Sequence, residues 1–223
     1  TNIIIASKAP SLLSFEPGRF CHKPNLESTD SIDFDFRSVS FDRLEKSAGI
    51  DFLRKYHYIG FGRNGKSLYG AFLGGELIAV AKMAPPIRQN MATSFGFKND
   101  EVLELDRFCI HPSYHKKNFP SFMLSRIISK VRLEFPSIRI LISFADERMG
   151  HDGTIYKAAN WEFVHKTGYS YTYFDSLNQE VNKKTLYNWA RSHHTTESEA
   201  VNRLGLKKVT LPRKSKFIYR LSS

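Results

Sequence analysis

Residues 104–131 read ELDRFCIHPSYHKKNFPSFMLSRIISKV. The opening residues end a longer apolar run, EVLELDRFCI (101–110), which has the composition of a strand. Further on, Phe122, Leu124, Ile127, Ile128, Val131 and Phe135 recur at nearly helical spacing, so SFMLSRIISKVRLEF (121–135) reads as a helix. Between the two lies a basic turn. A strand, a basic turn and a helix in that order bring the free N–H groups of a first helical turn beside cationic side chains, an arrangement suited to an anion.

Working outward, KSLYGAFLGGELIAVAKM (66–83) holds two apolar runs joined by Gly74-Gly75, a hairpin signal. IDFDFRSVS (32–40) alternates Ile32, Phe34 and Phe36 with Asp33, Asp35 and Arg37, the period of a half-buried strand. Ser40 or Asp42 would then cap a helix through FDRLEKSAGIDFLRKYHY (41–58), interrupted at Gly49. Downstream, IRILISFA (138–145) reads as a strand, GTIYKAAN (153–160) as a short helix and WEFVHKTGYSYTYF (161–174) as one or two strands. That order predicts a mixed α/β (α+β) domain with helices on both faces of the sheet. The expected division is an irregular arm over 1–31, where Pro10, Pro17 and Pro24 interrupt any pattern, a core over 32–175, and an extension over 176–223. The extension reads as two short polar helices in NKKTLYNWARSHHTTESEAVNRLGL (182–206) followed by a basic strand, LKKVTLPRKSKFIYRL (206–221), that completes or flanks the core.

With 223 residues, 41% of them hydrophobic, the chain can bury a core without disulfide or metal staples. Its 33 Lys and Arg against 22 Asp and Glu leave a formal net charge of +11, which points to a polyanion or an anionic metabolite as partner and specifies no reaction. Cys21 and Cys109 stand far apart in no CxxC pattern, so neither a disulfide framework nor a thiolate zinc site is suggested, and a reducing cytoplasm fits. The opening TNIIIASKAPSLLSF is cut by Lys8 and Pro10 and falls short of a membrane span, so no membrane partner is expected.

The strand-turn-helix at 104–131 resembles the pyrophosphate-binding element of the GNAT acyltransferase superfamily, although its usual Gln/Arg-x-x-Gly-x-Gly/Ala pattern is replaced by His115-Lys116-Lys117-Asn118-Phe119-Pro120-Ser121. SFAD (143–146) followed by GHDGTIYKAANW (150–161), with LDRF (105–108), FMLSR (122–126) and the basic-aromatic end RKSKFIYR (213–220), resembles the phage Mom-like DNA-modification proteins, which are GNAT-related. The likeness covers roughly residues 32–174 and the tail. It implies a GNAT-like, mostly antiparallel central sheet. The implied activity converts the exocyclic amine of adenine in double-stranded DNA to a methylcarbamoyl-type derivative, shielding phage DNA from host restriction. The partners implied are DNA and an acyl or carbamoyl donor, with acyl-CoA (acetyl-CoA) as the candidate cofactor; a homodimer is open.

Individual residues take the following expected roles. Asp146 directly follows a strand, where ligands gather in open α/β sheets, and its carboxylate suits an adenine amine; capping of a turn or of the 153–160 helix is the plainer reading of its spacing. The resemblance implies catalytic roles for Asp146 and for Tyr156, ten positions on, and puts the pair His57-Tyr58 near the substrate cleft; by position alone Tyr156 would be core and His57-Tyr58 a helix end. It further implies that Arg107, Lys116, Lys117, Asn118, Ser121 and Ser125, with Arg126 beside them, hold the donor. Asp106 should not pair with Arg107, because adjacent strand residues point to opposite faces. DNA contacts are expected from Arg63, Lys66, Lys183, Lys184, Arg213, Lys214 and Lys216, the first two on a mobile Gly-rich loop (62–66). His57, His111, His115, His151 and Asp146 are the raw material of an iron or zinc site, but no H-x-x-x-H pair sits on a helix, so a metal (iron) stays open and none is assigned. Two other functions fit the sequence: a GNAT N-acyltransferase acting on a protein, RNA or small-molecule amine, and a non-catalytic DNA-binding protein on the same fold.

Overall fold

The structure is a computed structural model that describes residues 32–181 and 183–221. The expected arm over 1–31, with Cys21, lies outside the described residues. The chain forms two units: one comprises residues 32–166 and 214–221, the other residues 167–213. The smaller one therefore starts before Asp175, the expected end of the core, and the last strand belongs to the larger one.

In the larger unit, β1 (Val39–Arg43), α1 (Lys46–Tyr56), β2 (Ser67–Leu73), β3 (Glu76–Ala84), α2 (Asn90–Thr93), β4 (Val102–Ile110), α3 (Phe119–Glu134), β5 (Ile140–Asp146), α4 (Thr154–Ala158) and β6 (Glu162–Lys166) follow in order, and β10 (Lys214–Arg220) returns from the smaller unit. The sheet order is β1-β2-β3-β4-β5-β10-β6. All neighbours are antiparallel except β4 and β5, so the expected mixed, mostly antiparallel sheet flanked by helices is observed. The β2–β3 hairpin turns at Gly74-Gly75, both at positive φ (58° and 88°), as a two-residue turn of primed type requires.

One face of the sheet packs against α3: Tyr69, Met83, Leu103 and Leu141 meet Leu124, Ile127 and Val131. Burying each such aliphatic side chain stabilises the fold by ~1.5–3 kcal/mol, which explains why the 121–135 periodicity is realised as helix. The other face packs Phe52 and Leu53 of α1 against Leu68, Val80 and Cys109.

The start of the unit corrects the sequence reading. Residues 32–35 form no strand; β1 begins at Val39, opposite Leu73. Asp35 accepts a hydrogen bond from the Arg37 backbone N–H at 2.9 Å and so caps a 3-10 turn, while Phe34 and Phe36 pack on Phe119. The alternation came from an aromatic cluster rather than from a pleat. Helix α1 starts at Lys46, beyond Ser40 and Asp42, and runs through Gly49, whose missing side chain lets the helix lie on Leu68: a Cβ there would stand 3.0 Å from Leu68 Cδ1.

The smaller unit holds β7 (Ser170–Phe174), β8 (Glu180–Val181), α5 (Lys183–Ser192), α6 (Glu197–Arg203) and β9 (Lys207–Leu211), with strand order β8-β7-β9. Its core is Tyr173, Val181, Leu186, Ala190 and Ala200. The two expected polar helices are present, α6 opening with a capping box from Thr196 and Glu199. Among the described residues, no helix is long and apolar enough to cross a membrane.

Candidate functional site

Strands β4 and β5 pair in parallel only over Val102–Glu104 and Ile140–Ile142, although β4 continues to Ile110 and β5 to Asp146. Beyond that point their ladder ends, and polar side chains collect. A bulge accompanies the separation: Lys82 faces Arg107 and Met83 faces Leu105, which leaves Asp106 as the extra residue. The bulge overturns the expectation that Asp106 and Arg107 point apart. Asp106 Oδ1 lies 3.0 Å from Arg107 Nη1, and Asp106 Oδ2 lies 2.7 Å from Lys82 Nζ.

This cluster anchors the segment between α1 and β2. Lys82, wholly buried, donates to the carbonyls of Phe61 and Arg63. Arg107 Nε donates to Gly60 O at 3.1 Å, and Gly62 lies so close that a Cβ would stand 2.3 Å from Arg107 Nη2. Arg63 pairs with Glu104 at 2.8 Å and donates to Pro85 O. The expected mobile loop is thus tied down by paired, mostly buried charges. Burial raises the pKa of Glu104 against the opposing pull of Arg63, and burial lowers that of Lys82 despite Asp106.

The anchored segment delivers Tyr58, with His57 stacked on it, to Asp146, the last residue of β5. Tyr58 donates to Asp146 Oδ2 at 3.3 Å, Lys214 Nζ lies 2.9 Å from the same oxygen, and the Arg148 N–H donates to Oδ1 at 3.1 Å. The last contact caps a 3-10 turn at Glu147–Met149, so the plainer reading of Asp146 is met alongside the functional one. His57 stacks on Tyr58 with centroids 4.7 Å apart, and His151 meets Tyr58 edge-on at 6.1 Å. Burial, with Arg107 and His151 adding to it, lowers the His57 pKa to about 3. The ring is therefore neutral at pH 7. Its Nδ1 accepts from the Ile59 N–H at 3.1 Å, so Nε2 carries the proton and is a donor.

Tyr156 is not brought to this site. Its hydroxyl pairs with Ser143 Oγ at 2.8 Å, and Ser143 in turn donates to Leu105 O at 3.1 Å across the separating strands. Ser143 and Asp146, three apart on β5, face opposite sides of the sheet. The Tyr156 ring stacks on Phe217 at 5.1 Å within the α3-side core, and burial pushes its pKa up to about 12. Asp146 and Tyr156, both given catalytic roles by the resemblance, thus do not share one site.

The β4–α3 turn is also largely engaged. Lys116 pairs with Asp33 and donates to Phe34 O at 2.8 Å. At the start of α3 the Phe119 N–H donates to Lys116 O, and Pro120 has no N–H to offer. Asn118 takes the left-handed conformation at the helix N-cap without a side-chain cap; Ser121 and Ser125 donate back to Asn118 O and Ser121 O, and Lys117 is exposed. Arg126 is exposed, its guanidinium over the Phe122 ring. A pyrophosphate would meet few ready donors at this turn.

Of the expected DNA contacts, Lys66 is exposed with its ammonium 4.6 Å from the Phe135 ring centroid, while Lys214 is tied to Asp146. Lys216 is only 6% exposed, which corrects its reading as a surface contact. In the smaller unit, Lys183 lies 3.5 Å from the Tyr171 ring centroid, Lys184 is exposed and Arg213 donates to Thr167 O at 2.6 Å. His111 caps its own turn by accepting from Ser113 N–H. Among the described residues, no three His, Cys, Asp or Glu side chains are grouped to hold a metal. Sequence reasoning missed Lys82 and Glu104, although a charge inside an otherwise apolar strand is a readable signal of a paired interior site.

Comparison with solved structures returns GNAT acetyltransferases at low similarity. An acetyltransferase of the GNAT family from Streptococcus pneumoniae is 10% identical with a TM-score of 0.48, covering 82% of this chain and 99% of that one. The ribosomal-protein-S18-alanine N-acetyltransferase from Escherichia coli is 9% identical with a TM-score of 0.48, covering 83% and 95%. Likenesses this remote say nothing of substrate or reaction. Among curated proteins, the methylcarbamoylase mom of Escherichia phage Mu is 31% identical over 97 residues, 43% of this chain; the match spans 40% of that protein's length. The model of the Mom protein family matches residues 38–223, which take in both units and the whole Asp146 site, and the chain belongs to that family.

Proposed function

We propose that the protein is a transferase that modifies the exocyclic amine of adenine in DNA, giving a methylcarbamoyl-type adduct that shields phage DNA from restriction. Membership of the Mom family and the relative's description as a methylcarbamoylase support this reading. The observation that carries it is Asp146: a carboxylate with 4% side-chain exposure, fixed by Tyr58, Lys214 and the Arg148 N–H at the mouth of separating strands. In the reaction, the adenine nitrogen forms a bond to the donor carbonyl carbon while the bond to the leaving group breaks. The nitrogen sheds one proton, which Asp146 accepts, and neutral His57, stacked on Tyr58, offers an N–H donor. The target base leaves the duplex to reach a site this enclosed, at a cost of about a few kcal/mol. The donor is an acyl or carbamoyl compound; acyl-CoA is the candidate the GNAT resemblance implies, but the engaged β4–α3 turn does not fit its pyrophosphate.

The test is mass analysis of nucleosides from DNA of cells expressing the protein or its Asp146→Asn variant. A deoxyadenosine adduct present with the wild type and absent with the variant is the expected result. Unmodified DNA from the wild type, with salt-sensitive DNA binding retained, would instead select the non-catalytic reading. Unmodified DNA with an acylated protein, RNA or small-molecule amine would select the other transferase.

A further inference from the structure

The cations around the Asp146 face are not balanced by its carboxylates. Glu104 is taken by Arg63 at 2.8 Å, Asp106 by Lys82 at 2.7 Å and Arg107 at 3.0 Å, and Asp146 by Lys214 at 2.9 Å. Lys216 is left over. In the β5–β10 register Lys214 lies opposite Asp146 and Lys216 opposite Phe144, so these side chains share one face of the sheet. Lys216 is 6% exposed, and among the described residues its ammonium has no hydrogen-bond or ion-pair partner, only the Phe95 ring with its centroid 4.4 Å away. Glu104 acts on it electrostatically but is already bound by Arg63. Burial without a contacting anion lowers the Lys216 pKa, the response of a cation whose environment disfavours its charge.

We propose that Lys216, with Lys214 beside it, forms a binding subsite for a phosphate-class oxyanion on the Asp146 face of the sheet. An oxyanion placed there gives the ammonium the charge-assisted hydrogen bond it lacks and offsets the excess cation at low local dielectric. The Phe95 ring covers one side of the ammonium. The contrast with the β4–α3 turn strengthens the assignment. There Lys116 already has Asp33, the Phe119 N–H is taken by Lys116 O and Pro120 has none to offer; here a lysine nine-tenths buried has no hydrogen-bond or ion-pair partner among the described residues. The subsite stands whether or not the DNA-modifying reading holds, because its test needs no turnover.

Calorimetric titration of the full chain with inorganic phosphate, coenzyme A and a short DNA duplex is the test, repeated with Lys216→Met, Lys216→Arg and Lys117→Met. At least one probe should bind the wild type and bind Lys216→Met about tenfold or more weakly, the loss of one charged hydrogen bond. Lys216→Arg should recover most of that loss. The probe that shows this pattern names the source: phosphate itself, the donor, or the nucleic-acid backbone. Because Met removes an unpaired buried charge at similar volume, Lys216→Met should also melt at or above the wild-type temperature without ligand. Equal binding by wild type and Lys216→Met, a loss seen in Lys117→Met alone, or no binding by any probe would overturn the assignment.

Discussion

Replacing Asp106 by Ala tests whether the bulge cluster holds the site together. Asp106 is 4% exposed and serves Lys82, Arg107 and Arg63 at 2.7, 3.0 and 3.4 Å; without it, three cations face Glu104 alone. Removing one partner of a buried pair costs about 3–5 kcal/mol, and three deserted cations put Asp106→Ala in that range. Lys82→Met should cost less, about 2 kcal/mol. It removes the buried charge itself, leaves Asp106 with Arg63 and Arg107, and strands the Phe61 and Arg63 carbonyls at roughly 1 kcal/mol each. At ~2–4 °C per kcal/mol for a chain of this size, Asp106→Ala should lower Tm by about 6–20 °C. Urea unfolding followed by tryptophan fluorescence measures the difference. A Trp189→Phe background leaves Trp161 to report on the larger unit alone, which avoids mixing the transitions of the two units. A loss under ~1 kcal/mol for Asp106→Ala, or a larger loss for Lys82→Met, would refute the anchoring argument.

Three further outcomes follow from the same geometry. The His57 pKa falls from 6.5 to about 3 on folding, so the unfolded chain binds the extra proton; stability should be full above pH 6.5 and decline as pH falls toward 3, and urea midpoints across that range should show a shallower decline in His57→Gln. Gly153 has φ +82° and a Cβ there would stand 2.1 Å from Phe217 Cζ, so Gly153→Ala should cost about 2–4 kcal/mol by thermal unfolding, from backbone strain and overpacking together. Tyr156→Phe should lose about 1 kcal/mol, the hydrogen bond to Ser143, and should retain any nucleoside adduct, read by the same mass analysis.

Local pattern was enough for much of this molecule. The strand-turn-helix at 104–131, the Gly74-Gly75 hairpin, β5 ending near Asp146 and the Mom-like blocks are all carried by residues close in sequence, where period and turn chemistry act. The likeness also placed His57-Tyr58 beside the cleft, and the structure sets Tyr58 against Asp146. Other features depend on partners far along the chain. Whether Phe34 and Phe36 belong to a strand depended on Phe119; the Asp106 bulge depended on Lys82 in the neighbouring strand; Lys116 was claimed by Asp33 and Tyr156 by Ser143. Most of all, β10 inserts between β5 and β6, which turns Lys214 from a tail residue into a partner of Asp146 and buries Lys216. Sequence determined which residues are charged, aromatic or turn-forming. Strand pairing across dozens of residues determined which of those charges meet and which lose their water, and no local period encodes that choice.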